Sequence, residues 1–327
     1  MSNMRKNPNQ NAFSLIELLA AITVLAVLGA IVSQMIGATN QAIRISTSKI
    51  DATSQARLAF SRIERDILQI LKRDDADALF TNATSPTSGD EVLKFFSAVT
   101  SEDRAVASPN RGMSLVGYLV GGHTNTGGKL CLQRGAVAIH YSDVGFMGLT
   151  NSGSPILFTD ALSSVPNLNP VGNDYDVLAE GVFRVWISFQ LNPQEADGSG
   201  NISVGQIHTT SSPSDRAANG NVYVNPPVRR PSTTGSYFVN FDALSSIVVG
   251  LVAIDLESKK LLSTTQLDSV ATAFGNLSDG QLPVEQWGPI ADNSSNFTGI
   301  PLAATKSIRV YQRSFPITPA WASNSQL

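Results

Sequence analysis

The sequence predicts an α+β fold in which a long N-terminal helix packs on an antiparallel β-sheet domain. An apolar run covers residues 13–37, a helical periodicity continues over residues 38–79, and short strand-like runs occur within residues 80–327. With 327 residues, of which 42% are hydrophobic and 15% charged, the chain is long enough for one membrane helix and one sizeable globular domain.

The apolar run follows a short polar segment, residues 1–12, that contains Arg5 and Lys6. It is long enough to cross about 30 Å of hydrocarbon as a helix. Basic flanking residues favour the cytoplasmic side, so we expect a single-pass topology with residues 1–12 in the cytoplasm. Glu17 is the one acid in the run, and a carboxylate inside a bilayer costs about 2.5 kcal/mol or more unless it is paired.

The hexapeptide Ala12-Phe13-Ser14-Leu15-Ile16-Glu17 resembles the processing site of type IV pilins and type II secretion pseudopilins. In these families a basic leader is cut just before a Phe, the new amine is methylated, and an acid four residues further on lies in the membrane helix. The resemblance implies cleavage between Ala12 and Phe13, N-methylation of Phe13, and a role for Glu17 in assembly. Ala12 stands where the families usually have Gly, and Ala is the nearest small substitute.

The charges of this motif suggest how assembly works. After cleavage the Phe13 amine is a cation at membrane depth, where the Glu17 carboxylate of another subunit can neutralise it. The alternative is a cleaved secretory signal or a signal anchor, because Arg5 and Lys6 also form a positive n-region. Glu17 argues against this alternative, since an uncompensated acid handicaps an apolar signal core.

Residues 38–79 predict an amphipathic extension of the helix, because apolar side chains recur near the i, i+3, i+4, i+7 spacing. The predicted buried stripe comprises Ile50, Ala56, Phe60, Ile63, Ile67, Ile70 and Leu71. We interpret the interleaved Arg62, Glu64, Arg65 and Asp66 as surface charges. Residues 61–70 also resemble the end of the long helix in J-type minor pseudopilins and PilW-like minor pilins, where an Asp-aliphatic-x-Gln motif recurs.

Alternating apolar runs predict strands beyond residue 80. They are Val92–Val99, Ser114–Val120, Lys129–Arg134, Val177–Leu191, Ser236–Phe241, Ile247–Leu256 and Ser307–Phe315. The second and third surround a glycine-rich loop, which predicts a hairpin, and they are similar to two strands of J-type pseudopilins. The overall layout also resembles the Verru_Chthon cassette protein C group. Residues 192–235 are dense in Pro, Gly, Ser and Asn and predict an exposed loop insertion.

No catalytic or metal-binding pattern stands out in the sequence. His123, His140 and His208 are far apart and lack metal-ligand spacing. Cys131 is the single cysteine, so an intrachain disulfide is excluded, and its apolar strand predicts a buried small side chain. The net charge of −3 and a pI near 5.6 give no electrostatic reason to expect nucleic acid as a partner.

Two further groups of charged residues give little indication of a function. A calcium site could in principle form from several acids, but they lie in no loop of alternating carboxylates. These acids are Asp174, Asp176, Glu180, Asp242 and Asp255. The basic pairs Arg229-Arg230 and Lys259-Lys260 are interpreted as solvated loop residues. We therefore expect a protein that is not an enzyme and holds neither a cofactor nor a metal.

The resemblance implies a minor pilin or pseudopilin subunit in the bacterial inner membrane, with its C-terminal domain in the periplasm. Its partners would be a prepilin peptidase and other pilin or pseudopilin subunits of a short pilus or type II secretion pseudopilus. The large β-rich domain and the lack of a disulfide favour a place at the tip or in initiation. The alternatives are a membrane-anchored adhesin or envelope-binding module that uses the prepilin pathway only for export, and an anchored periplasmic enzyme.

Overall fold

The fold is α+β, as the sequence predicts, with a long apolar N-terminal helix and largely antiparallel sheets. A computed structural model describes residues 14–70, 78–81, 91–98, 113–139, 175–191, 207–209, 221–225, 237–240, 244–277 and 281–317. The chain divides into two compact units, Met1–Thr47 and Ser48–Leu327. Helix α1 (Leu15–Leu68) contributes residues to both units.

The first unit is described as a stretch of α1 with its large apolar side chains exposed. Leu19, Ile22 and Val27 are each more than half exposed, the reverse of a helix in a soluble core. Among the described residues, one helix is long and apolar enough to cross a membrane, and its most apolar window has no buried residues. This exposure fits a helix whose solvent is lipid.

The described residues of the second unit form two sheets. The larger sheet comprises β1 (Ala78–Thr81), β2 (Glu91–Ser97), β3 (Met113–Gly122), β4 (Leu130–Ile139), β5 (Tyr175–Ala179), β8 (Asn221–Asn225) and β9 (Tyr237–Asn240). Its strand order is β5-β4-β3-β2-β1-β8-β9. The β8–β9 pair is parallel, and the other described neighbours are antiparallel.

The smaller sheet is antiparallel, with strand order β11-β10-β6-β7. It comprises β6 (Val182–Leu191), β7 (Ile207–Thr209), β10 (Leu244–Ala253) and β11 (Arg309–Pro316). The turn at Glu180 and Gly181 joins β5 to β6 and so connects the two sheets. A Cβ atom on Gly181 would lie 2.5 Å from the carbonyl oxygen of Ile254, so the turn requires glycine.

Each predicted strand overlaps a strand of the structure, and the predicted hairpin is the β3–β4 pair. Its loop contains a 3-10 helix, Thr124–Thr126, followed by Gly127 at φ 65°, a conformation that favours glycine. Three of the described strands were not predicted. They are β1, and β7 and β8, which lie inside residues 192–235, where the composition predicted a loop.

Four short helices between β10 and β11 were also not predicted. They are α2 (Leu256–Lys260), α3 (Thr264–Ala273), α4 (Pro283–Asp292) and α5 (Leu302–Thr305). Their small or polar residues give little apolar periodicity. Local capping signals were present, because Ser263 and Gln266 form a capping box and Pro283 occupies the first turn of α4.

The core of the second unit joins α1, both sheets and the short helices. Its members include Phe60 and Ile63 of α1, Phe95, Val116, Trp186, Leu251 and Trp287. The predicted stripe is confirmed at Ala56, Phe60, Ile63, Ile67 and Ile70, and Leu71 lies outside the described residues. Ile50 is a wrong prediction, since 67% of its surface is exposed. The helix also ends at Leu68 rather than near residue 79, and Ala78–Thr81 is a strand.

Candidate functional site

The predicted processing site adjoins the start of the described chain. Ala12 and Phe13 lie outside the described residues, and Glu17 lies in the first turn of α1. The Oε2 atom of Glu17 accepts a hydrogen bond from the backbone N–H of Ser14, at 3.2 Å. N–H groups at the start of a helix have no partner within the helix, so the carboxylate satisfies one of them and stabilises the positive end of the helix.

Glu17 is exposed among apolar side chains. Within residues 14–47 it makes no ion pair with a basic side chain. A carboxylate on a membrane-facing surface needs a cationic partner to offset the loss of water. The described part of the first unit therefore leaves the charge of Glu17 available to another molecule.

A second group of charges, the Asp66 cluster, lies between α1 and the β3–β4 hairpin. Asp66 is fully buried, and its Oδ2 atom accepts hydrogen bonds from the Nε of Arg134, at 2.6 Å, and from the hydroxyl of Tyr118. The Nε of Arg62 lies 3.8 Å from the same oxygen. The cluster thus consists of one carboxylate, two guanidinium groups and one phenol.

Protonation in the cluster follows from burial and charge. Burial, together with the negative charge of Asp66, raises the pKa of Tyr118 well above 10, so the phenol keeps its proton and donates. Burial lowers the pKa of Arg134, but the hydrogen bond and charge of Asp66 outweigh that effect, and the net change is upward. The Oδ1 atom of Asp66 and the Nη2 atom of Arg134 are buried without a hydrogen-bond partner in the described structure.

The interpretation of Asp66 as a surface charge is wrong. Its two hydrogen-bond partners lie 52 and 68 residues further along the chain, and the helix alone does not indicate them. One local signal could have identified it. Asp66 follows the buried Ile63 by three positions, so it shares the core-facing side of α1.

Residues 7–33 match the family model described as the prokaryotic N-terminal methylation motif. The chain carries a prepilin-type methylation motif. This motif supports a type IV pilin-like protein that is processed by a prepilin peptidase, and it implies a structural subunit that associates with other pilin subunits. The apolar helix that follows fits the membrane anchoring of a pilin. Comparison with curated proteins and with solved structures finds no match.

Three of the remaining candidate residues have local structural roles in the described ranges. His123 caps the Thr124–Thr126 helix by accepting from the backbone N–H of Asn125, and Cys131 is fully buried in β4. Asp255 caps α2 through the N–H of Ser258. In the described ranges, no group of three or more His, Cys, Asp or Glu side chains could hold a metal ion. Outside those ranges, or with undescribed side chains, are His140, His208, Asp174, Asp242, Arg229 and Arg230.

The interpretation of Lys259 as a solvated loop residue is also wrong. Lys259 lies in α2 with 1% of its surface exposed, and its Nζ donates to the carbonyl oxygen of Glu180. Burial lowers the pKa of Lys259 to about 8. Lys129 donates to the carbonyl oxygens of Lys259 and Lys260 at the end of α2, and the backbone N–H of Leu262 also donates to that of Lys259. Lys260 is exposed, as expected, and pairs with Glu257 at 2.7 Å.

Proposed function

We propose that the protein is a minor pilin or pseudopilin subunit that assembles through its N-terminal helix into a short pilus or a type II secretion-type pseudopilus. The observation that carries the proposal is the methylation motif at residues 7–33, which continues into an exposed apolar helix with a carboxylate in its first turn. The proposed topology has a cytoplasmic leader at residues 1–12, an inner-membrane span at residues 13–37 and a periplasmic C-terminal domain.

The proposed chemistry begins with cleavage between Ala12 and Phe13, which creates an amine that is then methylated. In the assembled fibre, the Glu17 carboxylate of one subunit pairs with the Phe13 amine of its neighbour. A carboxylate has about four lone-pair positions, so Glu17 can keep the N–H of Ser14 and still accept from that amine. Two charges that are costly alone in a membrane then compensate each other.

A place at the tip or in initiation is supported by the size of the second unit, Ser48–Leu327. Its core comes from one helix face and two sheets. Cys131, the single cysteine, is buried, so the domain has no intrachain disulfide. Gold labelling of the domain on isolated fibres tests this placement. Label at one end of each fibre is the expected result, and label along the whole length would contradict it.

The assembly role of Glu17 is tested by Glu17→Ala, with Leu18→Ala as the matched neighbour. We expect membrane insertion and leader cleavage to persist in both variants, because a more apolar helix inserts at least as well. Breaking a buried charge pair costs about 3 to 5 kcal/mol, so recovery of companion subunits by Glu17→Ala should fall by a factor of hundreds or more. Leu18→Ala should have a smaller effect.

Co-purification from detergent extracts measures that recovery, and membrane fractionation of the same samples checks insertion. Normal recovery of companions by Glu17→Ala would rule out the pairing mechanism. It would then favour the adhesin or envelope-binding alternative, in which the leader serves export alone.

A further inference from the structure

A groove of about 400 Å³ opens on the second unit beside the Asp66 cluster. Its lining comes from α1, β4 and β5. The residues that matter for binding are Leu58, Arg62, Arg65, Arg134, Asp176 and Leu178. Arg62 and Arg134 thus belong both to the Asp66 cluster and to the wall of this groove, here called the Arg groove.

The three arginines of the groove have unused hydrogen-bond donors. Arg65 is exposed and has no ionic partner in the described structure. Arg62 is 30% exposed, and its separation of 3.8 Å from Asp66 is long for a hydrogen bond. Arg134 uses Nε for Asp66, which leaves its buried Nη2 without a partner. Arg62 and Arg65 can therefore donate to an incoming anion, and the buried guanidinium group of Arg134 adds a positive charge behind them.

The charges of the groove favour an anion with a single negative charge. Among the described residues, the wall of the groove and the cluster behind it hold three guanidinium groups and the carboxylates of Asp66 and Asp176. These described charges sum to one positive charge, which one carboxylate matches. A phosphate group carries up to two negative charges at neutral pH, and its second charge would be repelled by Asp66 and Asp176.

The apolar part of the groove suits the stem of an acidic side chain. Leu58 is 52% exposed and Leu178 is half-buried, so both offer methyl groups beside the guanidinium groups. A guanidinium group can bind both oxygens of a carboxylate through parallel N–H bonds. A Glu side chain could therefore place its methylenes on the leucines and its oxygens on the arginines.

We propose that the Arg groove binds an acidic side chain of a neighbouring pilin-like subunit. The inference rests on the proposed function, because it requires such a neighbour. The contact would be separate from the Glu17 pairing, since it uses residues of the second unit only.

The test uses the full-length protein in bacterial membranes, with Leu58 replaced by the photoreactive residue p-benzoylphenylalanine. We expect illumination to crosslink position 58 to another subunit with a prepilin leader, through a peptide that contains Asp or Glu. Adding Arg65→Glu should reduce the yield roughly tenfold by repelling the acid. Arg57→Glu is the matched control, because Arg57 is an exposed arginine of α1 outside the groove lining and should leave the yield unchanged.

The same photoreactive residue in place of Leu25, an exposed side chain of the first unit, reports whether subunits assemble at all. Crosslinks at position 25 without crosslinks at position 58 would overturn the groove inference and keep the proposed function. No crosslinks at either position would overturn both. Crosslinks from position 58 only to lipid, or a yield that Arg65→Glu does not change, would also overturn the inference.

Discussion

Asp66 ties helix α1 to two strands, because Tyr118 of β3 and Arg134 of β4 both donate to its Oδ2 atom. Removing one member of a buried ionic group leaves the others without compensation, which is more costly than losing an exposed pair. The salt bridge between Glu64 and Arg313 is such an exposed pair on the same helix, at 2.8 Å with side chains 34% and 43% exposed.

We expect Asp66→Asn to lower the free energy of unfolding by about 3 to 5 kcal/mol, because the guanidinium group of Arg134 would remain buried without a counter-charge. Glu64→Gln, the matched control, should cost no more than about 1 kcal/mol. Urea unfolding of the detergent-solubilised protein measures both values. Equal losses in the two variants would show that the Asp66 cluster is no stronger than a surface pair.

Lys259 gives the folded state a pH dependence of predictable sign. Its pKa is about 8 when folded, below the ordinary 10.5, so the unfolded chain binds more protons between these values. The contribution of Lys259 to the free energy of unfolding should therefore rise with pH above about 8, by at most about 1.4 kcal/mol per pH unit. Burial raises the pKa of Cys131, which has the opposite effect above about pH 9.

The difference in stability between the parent protein and Lys259→Met measures the contribution of Lys259 at each pH. We expect the parent to gain stability relative to this variant as the pH rises from 8 to 9, in thermal melts at each pH. Lys260→Met, which changes an exposed neighbour, should follow the parent. A constant difference between parent and Lys259→Met would contradict the lowered pKa.

Among the elements, the strands were the most predictable from sequence, because buried β-branched runs such as Ile247–Val249 need no distant information. The helical stripe was also predictable around Ile63. The burial of Asp66 and Lys259 was not, since each depends on partners that only the folded chain brings near. The motif at Phe13 and Glu17 could be recognised because all of its residues are close together in the sequence.

The buried face of α1 can be tested with two isoleucines. Ile63→Ala should lower the free energy of unfolding by about 2 to 5 kcal/mol, because it leaves a cavity in the core. Ile50→Ala should change it by no more than about 0.5 kcal/mol, since Ile50 is mostly exposed. Denaturant titration of both variants measures these changes. A large loss of stability in Ile50→Ala would show that Ile50 is buried, as the periodicity predicted.

The packing of α4 on β10 depends on Gly250. A Cβ atom there would lie 2.3 Å from the Cβ of Pro283, so we expect Gly250→Ala to cost about 1 to 3 kcal/mol. Gly288→Ala in α4 meets nothing within 4 Å apart from its chain neighbours, but Pro289 follows it and disfavours a helical backbone for a residue with a Cβ atom, so we expect no stabilisation and a loss of no more than about 1 kcal/mol. A melting temperature that Gly250→Ala leaves unchanged would contradict this packing.

For the whole molecule, the central prediction is the identity of the mature N-terminus. We expect N-methyl-Phe13, because the methylation motif spans residues 7–33 and the change from charged to apolar residues falls at Phe13. Mass spectrometry of the protein purified from membranes measures it. A terminus near Ala30 or beyond would indicate ordinary signal peptidase processing and remove the basis of the assembly proposal.

Strand β8 pairs with β1 and so covers a strand that would otherwise end the larger sheet. Residues 192–235, whose composition predicted an exposed loop insertion, supply that covering strand. A deletion of this segment would open the N–H and C=O groups of β1 to strands of other molecules, and exposed edges of this kind promote aggregation. We therefore expect the deletion variant to aggregate, and light scattering measures this.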